Sequence, residues 1–286
     1  MRNNQDRMGV EPPTNNLQPA HVPPVVPQTS QEGGLQFIVP TATVELPSGG
    51  MLYAEGHPLH NVDAIEIRHM TTKEEDILTN QSYIKNGTAV DRLLQSVIVA
   101  PKVKVSDILV GDKNALTVAC RIHGYGPEYV TKFSCPSCGE QNEHTFDLTE
   151  IEHIDFAANL QEFSAEIDYT QQRVSLTIPR TKTVLELKIL KDTTDSSRKG
   201  KKKQKESFVI TKQYEKMIHS VNGNSDPNYV KSYINSMTAL DSRYLRSAYG
   251  KIIPGVDFTC DYECSECDHE SQVEVPLTAD FFWPKS

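Results

Sequence analysis

The stretch Phe133 to Thr149, FSCPSCGEQNEHTFDLT, decides how the rest of the chain is read. Cys135 and Cys138 sit two residues apart at the tip of a phrase that reads strand, tight turn, strand. A second such phrase lies far downstream, Tyr262 to Thr278, YECSECDHESQVEVPLT. Laid over one another, Cys135-Pro-Ser-Cys138 meets Cys264-Ser-Glu-Cys267. Phe146-Asp-Leu148-Thr149 then meets Val275-Pro-Leu277-Thr278 at the same offset. The chain therefore carries one small unit twice.

Two knuckles of this kind, facing one another, supply four thiolates in a tetrahedron, the arrangement of a zinc ribbon. A spacing of two residues lets both sulfurs of a knuckle reach one ion at about 2.3 Å while backbone amides point at them. The expected ligands are Cys135, Cys138, Cys264 and Cys267, holding a structural zinc ion. A closed four-thiolate site has no open coordination position, so no chemistry is expected of it. About 125 residues separate Cys138 from Cys264, so the intervening chain is an insertion and the metal a staple between its ends. Loss of one ligand, as in Cys264→Ser, is then expected to destabilise the fold sharply. A disulfide or thiol-redox use fits less well, because a thioredoxin-like pair opens a helix after a strand and neither pair here does. A site that takes Cys260 or a histidine, His144 or His269, in place of one thiolate stays open, although the repeat favours the four. Cys120 falls on the apolar face of a helix and reads as core.

The 286 residues suffice for a sizeable core. A formal net charge of −9 argues against a general nucleic-acid binder, which needs a basic surface to release counterions. No run of 18 apolar residues is present, and the start, MRNNQDRMGVEPP, lacks the apolar centre of a secretory signal. That is the pattern of a chain made and kept in cytoplasm, where paired cysteines favour metal over disulfide.

Residues 1–35, rich in Pro, Asn, Gln and Thr, read as an arm that is disordered when free or laid along a neighbouring subunit. Residues 36–286 read as one α+β domain of mixed short strands and helices, closed by the zinc-ribbon-like pair of knuckles. Alternation of Leu35, Phe37 and Val39, of Thr43 and Glu45 against Val44 and Leu46, and of Ile65 and Ile67 within DAIEIRHMT marks short strands, with a turn at Leu46–Gly50. Thr72 and Glu75 form a capping box opening one helix that runs to Gly87. A second helix puts Val90, Leu93, Leu94 and Val97 on one face and is broken by Pro101; a short one follows near Asp107. A longer helix runs from about Asp112 to the glycines 124 and 126. Strands are expected at HTFDL, EFSAEIDY, RVSLTIPR and TVLELKIL, and three helices at FVITKQYEKMIHSV, DPNYVKSYINSM and TALDSRYLRSAYGKI. Asp226-Pro227 is an N-cap with proline at the first helical position. The last strands, GVDFTCDYE and SQVEVPL, flank the second knuckle. Residues 192–206 form a basic surface loop with six positive charges between Arg198 and Lys205, solvated or set against an acidic partner or nucleic acid.

No Gly-x-x-x-x-Gly-Lys loop, nucleophile elbow or His-Glu-x-x-His is present, and the nine histidines do not group with carboxylates. Glu74, Glu75 and Asp76 sit where a helix N-terminus favours acids without any catalytic role. A non-enzyme is expected.

Several motifs in order carry a resemblance. They are Leu46-Pro-Ser48, Tyr53-x-x-Gly-x-Pro-Leu59, Met70-Thr-x-x-Glu-Glu-Asp-Ile-Leu78, Gly111-Asp-x-Asn114, and Gly124-Tyr-Gly126 leading to Cys135-Pro-x-Cys138. The run from about 44 to 150 resembles the baseplate protein family of T-even-type, contractile-tailed bacteriophages. The resemblance implies a virion tail component in the hub region, made in bacterial host cytoplasm, with other baseplate and hub proteins as partners. It also admits a hub assembly factor or tail chaperone absent from the mature virion. A zinc-ribbon nucleic-acid module using the basic loop is the remaining reading.

Overall fold

A computed structural model of the chain describes residues 38–191, 209–275 and 279–282. The expected N-terminal arm, the basic loop, and Leu35 and Phe37 of the first expected strand lie outside these residues. The chain divides into two units, Met1–Ile38 and Val39–Ser286, and the second carries every element below.

Strand β1 (Thr41–Glu45) pairs antiparallel with β2 (Ala64–Arg68), Val44 opposite Ile65. The turn between them uses Gly49 and Gly50, both at positive φ; a Cβ on Gly50 would lie 2.3 Å from the Val62 nitrogen. Three helices follow: α1 (Thr72–Thr79), α2 (Gln81–Lys85) and α3 (Ala89–Val97). The one helix expected from Thr72 to Gly87 is thus two. Asn80 ends the first, and its side chain accepts the amides of Ser82 and Tyr83 to start the second. The capping pair is also one residue earlier than the sequence suggested. The carboxylate of Glu74 reaches back to the amide and hydroxyl of Thr71.

Helix α3 buries Leu93, Leu94 and Val97 and leaves Val90 partly exposed. A single 3-10 turn at Val105–Asp107 leads to the long central helix α4 (Val110–Tyr125), with Cys120 in the core. Gly111 lets its first turn touch another part of the backbone: a Cβ there would lie 2.0 Å from the Pro254 carbonyl oxygen. Asp112 accepts hydrogen bonds from the Ser48 amide (3.0 Å), the Ser48 hydroxyl (2.7 Å) and the Tyr53 hydroxyl (2.6 Å), which pins the 48–53 loop to α4. Burial pushes this carboxyl up, and the three donors partly offset it.

Beyond α4, β3 (Glu128–Ser134) and β4 (Gln141–Asp147) form the first knuckle hairpin. Next come β5 (Glu152–His153), α5 (Phe156–Glu162) and β6 (Glu166–Asp168). The strand expected over EFSAEIDY is instead the end of α5 followed by three strand residues. Asp155 caps the Ala158 amide and starts α5, which the sequence reading did not assign and which takes in the first residue of the expected strand, Glu162. Strands β7 (Arg173–Thr177) and β8 (Val184–Lys188) continue an antiparallel sheet from β6. Their inward side chains Val174, Leu176, Leu185 and Leu187 are fully buried.

Helix α6 (Val209–Met217) stops four residues short of expectation, because Ile218–Val221 becomes β9 and pairs with β8. Ladder hydrogen bonds and burial of Ile218 and Val221 outweigh the helical pattern there. Helices α7 (Pro227–Ser236) and α8 (Ala239–Ile252) start at Asp226 and Thr238, whose side chains accept first-turn amides. The chain then returns through β10 (Val256–Asp257), paired with β5, to the second hairpin of β11 (Thr259–Glu263) and β12 (Glu270–Glu274). The fold is α+β, with short antiparallel strands and helices sharing one continuous apolar core from Val44 to Phe282.

Candidate metal centre

Each knuckle is a hairpin tip built by the same backbone bonds. The Cys135 amide donates to the Glu140 carbonyl (2.8 Å), and the Gly139 amide to the Cys135 carbonyl (3.0 Å). In the second knuckle the Cys264 amide donates to the His269 carbonyl and the Asp268 amide to the Cys264 carbonyl, both at 3.0 Å. The residue after each second cysteine, Gly139 or Asp268, takes positive φ, which glycine adopts freely and aspartate more readily than most. The repeat seen in the sequence is a repeat in space.

The two tips meet. The sulfurs of Cys135, Cys138, Cys264 and Cys267 all lie within 4.8 Å of one another, and among the described residues they form the one such group of histidine, cysteine and carboxylate atoms. Across the tips, Cys135 Sγ is 3.9 Å from Cys267 Sγ and Cys138 Sγ is 3.8 Å from Cys264 Sγ. A tetrahedron of thiolates at about 2.3 Å from an ion has edges of about 3.8 Å, so the spacing fits one ion at the centre. Cys135 and Cys264 are buried; Cys138 and Cys267 are exposed. The four cysteines can hold a metal ion.

Proton chemistry supports that fit. The Tyr262 hydroxyl, then the Glu266 amide, draw the Cys264 thiol down to about 6, and the Cys138 amide leads in lowering Cys135. Cys267, despite the His269 amide, is pushed up to about 12 by partial desolvation of its sulfur and by the neighbouring thiols Cys264 and Cys138. Cys138 is likewise raised: the Glu140 amide lowers it, but desolvation of the sulfur and its thiol neighbours prevail. Four sulfurs this close do not all ionise by themselves, and a divalent cation among them removes the repulsion.

The alternative ligands fall elsewhere. Cys260 lies within β11 opposite Val273, half-buried. His144 packs edge-on against Phe146 and Tyr262, and His269 enters the knuckle through its backbone carbonyl. A supporting layer escaped the sequence reading. Asn142 donates from Nδ2 to the Tyr262 hydroxyl (2.9 Å) and to Cys264 Sγ (3.2 Å), and Ser265 Oγ donates to Asn142 Oδ1 (3.2 Å). The one sequence signal was position: Asn142 and Ser271 stand at matching offsets from the two cysteine pairs.

At the other end of β3 from the knuckle, Arg121 of α4 is buried and donates to three backbone carbonyls, those of Gly126, Glu128 (2.7 Å) and Phe281 (2.7 Å). It ties the C-terminal 279–282 turn to the start of β3, where Phe281 packs edge-on against Tyr129.

Comparison with curated proteins and with solved structures yields no match. The sequence model of one family does match, over residues 39–283, and so includes the middle strands and second knuckle as well as the run from 44 to 150. With helices, strands and both knuckles inside that span, the chain belongs to the T4 bacteriophage base plate protein family.

Proposed function

We propose that the chain is a non-enzymatic structural subunit of the hub region of a contractile-tail base plate, stapled by zinc on Cys135, Cys138, Cys264 and Cys267. The observation that carries the reading is the family match over residues 39–283, which makes this a base plate protein of the virion tail with other base plate proteins as partners. Zinc is the metal that suits four thiolates in a closed tetrahedron with no redox demand. Bound there, it would hold β3–β4 against β11–β12. It would supply no catalytic step, since no coordination position stays open. Host cytoplasm is the place of assembly, and the N-terminal arm is suited to lie along a neighbouring subunit.

Mass spectrometry of purified mature particles, with metal analysis of the purified chain, tests this reading. The chain at a fixed ratio to other base plate proteins, with one zinc each, is the expected result. Its absence from particles and presence in assembling lysates would make it a hub assembly factor instead.

A further inference from the structure

The two knuckles repeat one another in backbone but not in what surrounds their sulfurs. In the first knuckle the Ser137 amide donates to Cys135 Sγ (3.4 Å) within the turn itself. Cys264 instead meets a side chain from the opposite hairpin: Asn142 Nδ2 donates to Cys264 Sγ (3.2 Å) and to the Tyr262 hydroxyl (2.9 Å), and Tyr262 packs against Cys264. Ser265 then fixes the Asn142 carboxamide by donating to its oxygen. The residue matching Asn142 in the other hairpin is Ser271, whose buried hydroxyl has no hydrogen-bond partner among the described residues. Cys264 is fully buried in a small apolar cluster with Cys135 and Tyr262, whereas Cys138 and Cys267 face solvent.

From this broken symmetry we infer that Asn142 and Tyr262, oriented by Ser265, are positioning residues that make Cys264 the anchor ligand of the metal centre, and that the site opens at its Cys138–Cys267 edge. The inference rests on the metal reading given above. Hydrogen bonds to a thiolate spread its charge and blunt its nucleophilicity. The buried sulfur held by the Asn142 donor therefore resists electrophiles, and the two exposed sulfurs, Cys138 and Cys267, yield first. Outer donors of this kind hold ligands in the coordinating geometry, and their loss typically weakens metal binding about 10- to 100-fold.

The test is cobalt(II) and zinc titration of the full chain, read by the thiolate-to-cobalt charge-transfer band and by competition with a chelator. The wild type is compared with Asn142→Asp, Tyr262→Phe and Ser271→Ala. Asn142→Asp keeps the shape but turns the donor into an acceptor, and Tyr262→Phe keeps the ring but removes the hydroxyl. Both are expected to weaken binding about 10- to 100-fold and to shift the band, while Ser271→Ala stays within about twofold of the wild type. Alkylation of the metal-loaded wild type by iodoacetamide, mapped by mass spectrometry, is expected first at Cys138 and Cys267 and last at Cys264. In the two weakened variants Cys264 loses that protection. A charge-transfer band in the wild type with both variants unchanged in affinity and alkylation order would overturn the inference and leave the metal reading intact. Absence of the band in the wild type would overturn both.

Discussion

Glu74 offers a sharp test of how this fold is held, because its carboxylate is fully buried and meets five donors. Arg68 supplies two (2.7 and 3.1 Å), Ser96 Oγ one (2.7 Å), and Thr71 its amide (3.0 Å) and hydroxyl (2.7 Å). Burial alone would raise the group, but the hydrogen bonds from Arg68, Ser96 and Thr71 outweigh it and hold Glu74 at about 2, against 4.5 for a free side chain. A depressed carboxyl contributes stability that is complete above its unfolded value and is lost as pH falls through the folded one. The drop corresponds to about 3 kcal/mol, and Arg68, one-quarter exposed, is screened little enough to keep most of it. Glu74→Gln replaces an acceptor oxygen with an amide donor facing a guanidinium, so at pH 7 it is expected to cost about 3 kcal/mol. Urea unfolding of both proteins between pH 7 and pH 2 reads the effect. The gap between them is expected to be constant down to about pH 5 and to close as pH approaches 2, because protonated Glu74 then resembles glutamine. A gap that stays constant across this range, or one below about 0.5 kcal/mol at pH 7, would refute the reasoning.

Three further substitutions probe packing elsewhere. Gly111→Ala drives a Cβ to 2.0 Å from the Pro254 carbonyl and is expected to cost about 3 kcal/mol or prevent folding. Gly250→Ala, in α8 with nothing within 4 Å, is expected to leave stability unchanged or raise it by up to about 1 kcal/mol; urea unfolding reads both variants. Phe281→Ala removes a buried ring from Tyr129 and loosens the carbonyl held by Arg121; a loss of about 3 to 4 kcal/mol is expected in urea unfolding.

What the sequence disclosed follows from where its signals are local. The knuckles were legible because metal-type spacing and hairpin residues are written in adjacent positions, and Cys120, Leu93 and Leu94 because a helix face repeats. The errors lie where a distant partner decides. Ile218–Val221 reads as helix until β8 is there to pair with it. Glu162 reads as strand, but it closes the helix that Asp155 opens seven residues earlier. Arg121, Asp112 and Glu74 are polar residues in helices, and nothing local shows that they are buried. Yet Asp112 with Ser48 and Tyr53, and Glu74, fall in the motifs that carry the resemblance. Buried polar ties of this kind need particular residue types, and so they leave a mark in sequence that apolar packing does not.

A metal on the four cysteines would be one of three ties, and this changes what its removal does. Read from sequence, a zinc joining Cys138 to Cys264 closes a loop of 126 residues. By the loop-entropy argument for cross-links, that is worth about 5 kcal/mol. In the structure β10 already pairs with β5, and Arg121 already holds Phe281. With those two ties intact, a bound metal would close only the path from Cys138 to Glu152 and from Asp257 to Cys264, about 20 residues, for which the same argument gives about 3 kcal/mol. The small cluster of Cys135, Tyr262 and Cys264 adds little apolar burial of its own to hold the hairpins together. Chelation is therefore expected to release the two hairpins while the sheet of β6 to β9 and helix α4 stay folded. Hydrogen exchange with and without chelator resolves this. Amides of β11 and β12 and the outer half of β3 and β4 should lose protection, and those of Val174, Leu176, Leu185 and Leu187 should keep it. Uniform loss across all of them would mean that the two metal-independent ties cannot close the domain, and that the staple acts on the whole fold.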